Sequence, residues 1–79
     1  MTRNKLIELV VEALKANGGK STIVQVSKFI WDHYEQELRE SGDIFYTWQY
    51  EIRWAAKKLR DKGIMKSVEL SKKGIWELF

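Results

Sequence analysis

Seventy-nine residues with no cysteine and no proline make one small domain, with 44% hydrophobic and 13% aromatic side chains to build its core and a net charge of +3. The lack of cysteine excludes a disulfide framework, a thiolate zinc site and a cysteine nucleophile. No apolar run approaches the roughly 20 residues of a membrane span, and the first fifteen residues alternate charged and apolar side chains where a signal peptide would be continuously apolar. The expected setting is therefore cytoplasmic, with no membrane partner.

Taken from the start, Leu6, Val10, Ala13 and Leu14 recur at helical spacing, and Ile7 and Leu9 widen the stripe. The spacing predicts a first helix over about 3–17, capped by Thr2 or Asn4 and ended by a left-handed Gly18. Lys20, Ser21 and Thr22 read as a brief strand. Thr22 and Gln25 then fit a capping box, in which each side chain satisfies the other residue's backbone donor. A second helix follows over about 23–38, with Val26, Phe29, Ile30 and His33 on one face and Trp31 off it. On that face His33, the one histidine of the chain, is expected in the core and not as a metal ligand, since no cysteine accompanies it.

The Ser41-Gly42-Asp43 turn comes next. Trp48, Ile52, Ala55 and Leu59 then recur at steps of four, three and four, which predicts a third helix over about 47–62, with Thr47 as its cap and Gly63 just past its end. Beyond it the period falls to two. Lys66-Ser67-Val68-Glu69-Leu70 and Trp76-Glu77-Leu78 alternate on either side of Ser71-Lys72-Lys73-Gly74, the composition of a turn. The expectation is a β-hairpin over about 65–79 with two lysines at its tip. Three helices followed by such a hairpin, mainly α within an α+β class, is the order of a winged helix-turn-helix, a single domain over residues 1–79.

Charge follows the same division. Residues 53–73 hold eight basic side chains against Asp61 and Glu69, whereas Asp32, Glu35, Glu37, Glu40 and Asp43 gather acid near the middle of the chain. A polarity of this kind suits a polyanion on one face. On a helical wheel centred on Ile52, Arg53 and Lys57 fall together on the side away from Trp48, Ala55 and Leu59. Arg53 is suited to guanine, Gln49 to adenine and Lys57 to phosphate. Arg60 adds to the basic helix, and Lys72 and Lys73 are candidate phosphate contacts that set orientation. Tyr50 either stacks on a base or sugar or is an ordinary surface side chain; Trp54 is expected to lie against the hairpin.

Arg53-Trp54-Ala55, Leu59, Gly63-Ile64 and Lys73-Gly74-Ile75-Trp76-Glu77-Leu78 match, in order and spacing, the pattern of one known family. Over residues 46–78 the chain resembles the N-terminal winged-helix domain of Mrr-type restriction proteins. The resemblance implies duplex DNA as the partner. Longer relatives carry a nuclease after this domain, but no spaced acid with an acid-x-lysine element occurs in these 79 residues, so cleavage does not carry over.

No cofactor is implied, and no enzyme is expected. Ser21, Ser41, Ser67 and Ser71 have no companion base nearby in sequence, and Glu35, Glu37 and Glu40 read as a solvated helix face. The rival reading is a protein-interaction or dimerisation module, because winged helices also serve as docking domains. In that case Trp31, Tyr34, Phe45, Tyr46 and Phe79 would form the apolar contact surface, and homodimerisation fits either reading.

Overall fold

The computed structural model describes residues 1–79 as three helices, α1 (Arg3–Ala16), α2 (Ile23–Arg39) and α3 (Ile44–Asp61), with two short strands, β1 (Lys20–Thr22) and β2 (Ile75–Glu77). Their order is α1, β1, α2, α3, β2. The Thr2 hydroxyl caps α1 by accepting from the Lys5 N–H at 3.1 Å. Both halves of the Thr22–Gln25 capping box form at the start of α2, at 2.8 and 3.2 Å. These are the caps that the sequence predicts.

Two helices end alike. After α1 the Gly19 N–H returns to the Leu14 carbonyl and the Gly18 N–H to Lys15; after α3 the Ile64 N–H returns to Leu59 and the Gly63 N–H to Arg60. Both are Schellman endings, which need a left-handed residue where Gly18 and Gly63 stand, at φ +80° and +74°.

The core is one cluster. Leu6, Leu9, Val10, Ala13 and Leu14 of α1 meet Ile52, Ala55, Ala56 and Leu59 of α3, with Val26, Ile30 and Leu38 of α2 closing one side. The buried positions of α1 and α3 follow the apolar stripes read from the sequence, with Ala56 added on α3 and Ile7 left half-buried on α1.

Helix α3 starts three residues earlier than expected. Ile44 and Phe45 are half-buried against the core, which extends the Trp48–Ile52 stripe by another turn. Gly42 and Asp43 carbonyls accept from the Phe45 and Tyr46 N–H groups, so the helix begins directly after the turn. Thr47 therefore sits inside α3 and is not its cap; its hydroxyl donates back to the Asp43 carbonyl. The link from α2 to α3 shortens to residues 40–43.

His33 also departs from expectation. It is exposed, its ring stacked on Phe29 at 4.1 Å and its Nδ1 2.9 Å from the Phe29 carbonyl. Beyond it, Tyr34 leaves the helical region at φ −131°, ψ 21°, and α2 is kinked there. The face that Val26 and Ile30 begin thus passes to Leu38 without His33.

The wing forms, in reduced extent. Strand β2 pairs antiparallel with β1, in the register Lys20↔Glu77, Ser21↔Trp76 and Thr22↔Ile75. On its other side Met65 bridges Leu78, and the Lys66 N–H donates to the Glu77 carbonyl at 2.8 Å. The last strand is thus central, and the molecule is an α+β, mainly helical winged helix-turn-helix. The strand expected over residues 66–70 does not form; pairing on this side is confined to the Met65–Leu78 bridge and the Lys66 N–H. The Leu70 N–H and the Ser71 hydroxyl both donate to the Ser67 carbonyl, so a local turn takes the acceptor that a ladder would have used.

Candidate nucleic-acid interface

Helix α3 buries Trp48, Ile52, Ala55, Ala56 and Leu59 and turns Gln49, Tyr50, Arg53 and Lys57 outward. Tyr50 is 72% exposed. A groove of about 430 Å³ runs between this face and the start of α2, lined by Ile23, Val24 and Ser27 on one side and Gln49, Tyr50 and Arg53 on the other. The first turn of α2 forms its far wall. On the other flank of that same turn lies a cleft of about 490 Å³ that holds Gln25, Lys20 and Lys72. Arg53 and Lys72, 19 positions apart in sequence, therefore flank one helical turn. Lys73 is exposed beside Lys72, and Lys57 stands one turn beyond Arg53 on α3.

Arg60 is placed differently from the other predicted cations. It is half-buried, and its Nε donates to the Lys66 carbonyl at 3.2 Å, tying the end of α3 to the root of the wing. Glu69 lies in the same region. Its own backbone N–H and the Ser67 hydroxyl hold its carboxyl below the usual range, and the Arg60 charge acts in the same direction. The wing is thus basic at Lys72 and Lys73 and carries an ionised acid between them and α3.

Four of the fourteen cations are held in ion pairs with acids. Arg3 bonds Glu51, Arg39 bonds Glu35 at 2.7 Å, Lys66 bonds Glu77 at 3.2 Å and Lys5 approaches Glu8 at 3.7 Å. No side-chain hydrogen bond or ion pair within the chain involves Gln49, Tyr50, Arg53, Lys57, Lys72 or Lys73. Of the four arginines, Arg53 alone keeps its guanidinium free of a partner in the chain.

No family model, no curated protein and no solved structure matches the chain. The residues and their geometry carry the functional reading. No cluster of three His, Cys, Asp or Glu side chains converges anywhere in the molecule, and no helix is long and apolar enough to cross a membrane.

The aromatic residues gain definite neighbours. Trp54 is half-buried and partly covered from α1: the Arg3 guanidinium lies 4.1 Å from its ring centre, and Lys58 of its own helix sits 5.7 Å away. The five aromatics proposed as one contact surface also separate. Trp31, Phe45 and Tyr46 are neighbours, with centroids 6.5 and 5.1 Å apart along that series. Tyr34 instead bonds Glu12 of α1, and the Phe79 N–H donates to Ile64 near the wing.

Sequence reasoning missed the α2 wall of the groove. Val24 is 71% exposed beside Gln49 and Tyr50. Its signal was present: Val24 and Trp31 are seven residues apart, two helical turns, and share a flank distinct from the Val26–Ile30 stripe.

Proposed function

We propose that this chain is a DNA-binding winged-helix domain that lies on duplex DNA with the outward face of α3 and the basic wing. The observation that carries the reading is the set of unpartnered cations. Arg53, Lys57, Lys72 and Lys73 are among the ten cations with no acid partner; Arg53 lines the groove with Gln49 and Tyr50 on one flank of the first turn of α2, and Lys72 lines the cleft on the other. Phosphates release condensed counterions when such cations replace them, and this supplies most non-specific affinity. Gln49, Tyr50 and Arg53 then provide a limited base preference, while the wing lysines fix orientation. Arg60 contributes by holding the wing root. The resemblance to the Mrr-type domain supports the same partner and a nucleoid location; the nuclease of longer relatives is not carried over, because these 79 residues hold no acid-x-lysine element.

The test is fluorescence anisotropy with a labelled random duplex and a single strand of equal length, at low and at physiological salt. Binding to the duplex that weakens as salt rises supports the reading; no binding to either strand form at low salt removes it. The aromatic corner of Trp31, Phe45 and Tyr46 favours the second reading, a protein-docking module, which takes over in that event.

A further inference from the structure

The Arg53 groove continues into a second groove of about 480 Å³. The two share Val24, Ser27 and Gln49. The wall of the second is aromatic: Trp31 and Trp48 stack at 6.2 Å with planes 9° apart, and Phe45 lies 6.5 Å from Trp31. The Arg39 guanidinium, which is not part of the groove lining, sits 5.2 Å from Trp31 and 5.7 Å from Phe45 and steadies that wall.

The charge around the two grooves is one-sided. Lys28 borders the aromatic groove, Arg53 borders its neighbour, and no carboxylate lines either one. Neither cation has a partner within the chain. A fitting ligand has a planar apolar part for the rings and a negative charge for the rim, and it reaches the groove along the α3 face. A nucleotide whose base has left the stack meets all three conditions. The volume lies in the range of sites that enclose small molecules.

We infer that the Trp31–Phe45–Trp48 groove receives one unpaired nucleobase of the strand that α3 contacts, with Lys28 meeting the adjoining phosphate. The inference rests on the DNA-binding reading and adds a structural preference to it: DNA with a locally unpaired base over a fully paired duplex. Stacking of one base on an aromatic wall should make the preference roughly tenfold.

Anisotropy titrations would compare three duplexes of one sequence: fully paired, carrying a single unpaired adenine, and carrying an abasic unit at that position. The expected result is roughly tenfold tighter binding of the adenine bulge than of the other two. Trp31→Leu should abolish the difference and leave paired-duplex binding unchanged, and Lys28→Gln should reduce it. Equal binding of the paired and adenine-bulged duplexes by the unaltered protein overturns the inference while the duplex reading stands. Equal binding of the adenine and abasic bulges also overturns it, because backbone flexibility then explains the gain. These two comparisons decide the matter even if Trp31→Leu fails to fold. If no duplex binds at low salt, the DNA-binding reading falls and the inference with it. A DNA-free dimer in sedimentation that Trp31→Leu dissociates would assign the groove to a second copy of the chain and overturn the inference too.

Discussion

The Tyr34 hydroxyl donates to the Glu12 carboxylate, 2.8 and 2.7 Å from its two oxygens, at the residue where α2 leaves the helical region. In an unbroken helix Leu38 would stand about 80° round from Ile30, yet both are fully buried, and the break lies between them. Tyr34 therefore pins the kinked turn of α2 to α1. The same turn carries the aromatic residue Trp31 toward α3, so the clamp bears on the groove as well as on the core.

That clamp has a pH signature. The hydrogen bond to Glu12, partial burial, and the charges of Glu12 and Glu37 all raise the Tyr34 hydroxyl above its ordinary value of 10.0. A folded-state value above the unfolded one means the contribution is intact below pH 10 and lost as pH rises through the folded value. Tyr34→Phe should therefore lower the urea midpoint at pH 7, with the gap to the parent closing in alkaline buffer above pH 10. A gap of equal size at both values would mean that the hydroxyl is not what holds the turn.

Ser21 pairs with Trp76 across the two strands and is 4% exposed, and its hydroxyl has no hydrogen-bond partner. Burying an unpaired hydroxyl costs roughly 1–3 kcal/mol. Ser21→Ala removes that group without opening a cavity of any size, so it should raise stability by about 1 kcal/mol. Urea unfolding with an unchanged m-value would check this. A loss of stability would show that the hydroxyl has a partner in solution, such as an ordered water.

How much of this was legible in the sequence depends on the range of the interactions involved. Thr2, Thr22 with Gln25, Gly18 and Gly63 act within one turn of their own position, and the caps and stops they encode are present in the fold. The stripe Trp48, Ile52, Ala55 and Leu59 was equally plain. His33 was misplaced because the buried side of α2 is centred toward Ile30 and Tyr34, which leaves Phe29 half-buried and His33 outside at the opposite edge of the stripe. The strand expected at residues 66–70 failed for a different reason. Its alternation was real, but Val68 and Leu70 face no second layer, at 65% and 61% exposed, and the Ser67 carbonyl is held locally. The outward face of α3 could be read from periodicity alone. The α2 wall of the groove and the role of Arg60 depend on which elements meet in space, and periodicity does not carry that information.

Gly63 offers a test of the fold's one-residue dependence. A Cβ at this position would meet nothing within 4 Å, so the cost of a side chain is that of the backbone at φ +74° alone. Left-handed backbone costs an L-residue about 1–2 kcal/mol, and Gly63→Ala should lower stability by that amount. Because the same Schellman ending directs the chain into residues 64–66, the variant should also loosen the bridge between Met65 and Leu78. Amide exchange at Lys66 and Phe79, whose N–H groups donate across this junction, would report it. Faster exchange confined to helix α1 would contradict the assignment.

The division between paired and unpaired cations makes the strongest prediction for DNA. Arg53, Lys57, Lys72 and Lys73, with one further contact such as Lys28, would neutralise about five phosphates, giving a slope of log affinity against log salt near −4 to −5. Lys72→Glu with Lys73→Glu should weaken binding to all sequences alike and make the slope shallower by about two. Arg53→Ala should act mainly on preference, because a guanidinium at a guanine edge discriminates by about 1–3 kcal/mol. Arg39→Ala is the contrasting control on a paired duplex: its guanidinium is bonded to Glu35 and set against the Trp31 and Phe45 rings, so it is not free for a phosphate and the slope should not change. Salt titrations of the four proteins on one duplex, repeated on a second sequence, separate these effects. If the double wing variant binds as the parent does, the wing is not on the DNA, and the contact reduces to α3 and the first turn of α2.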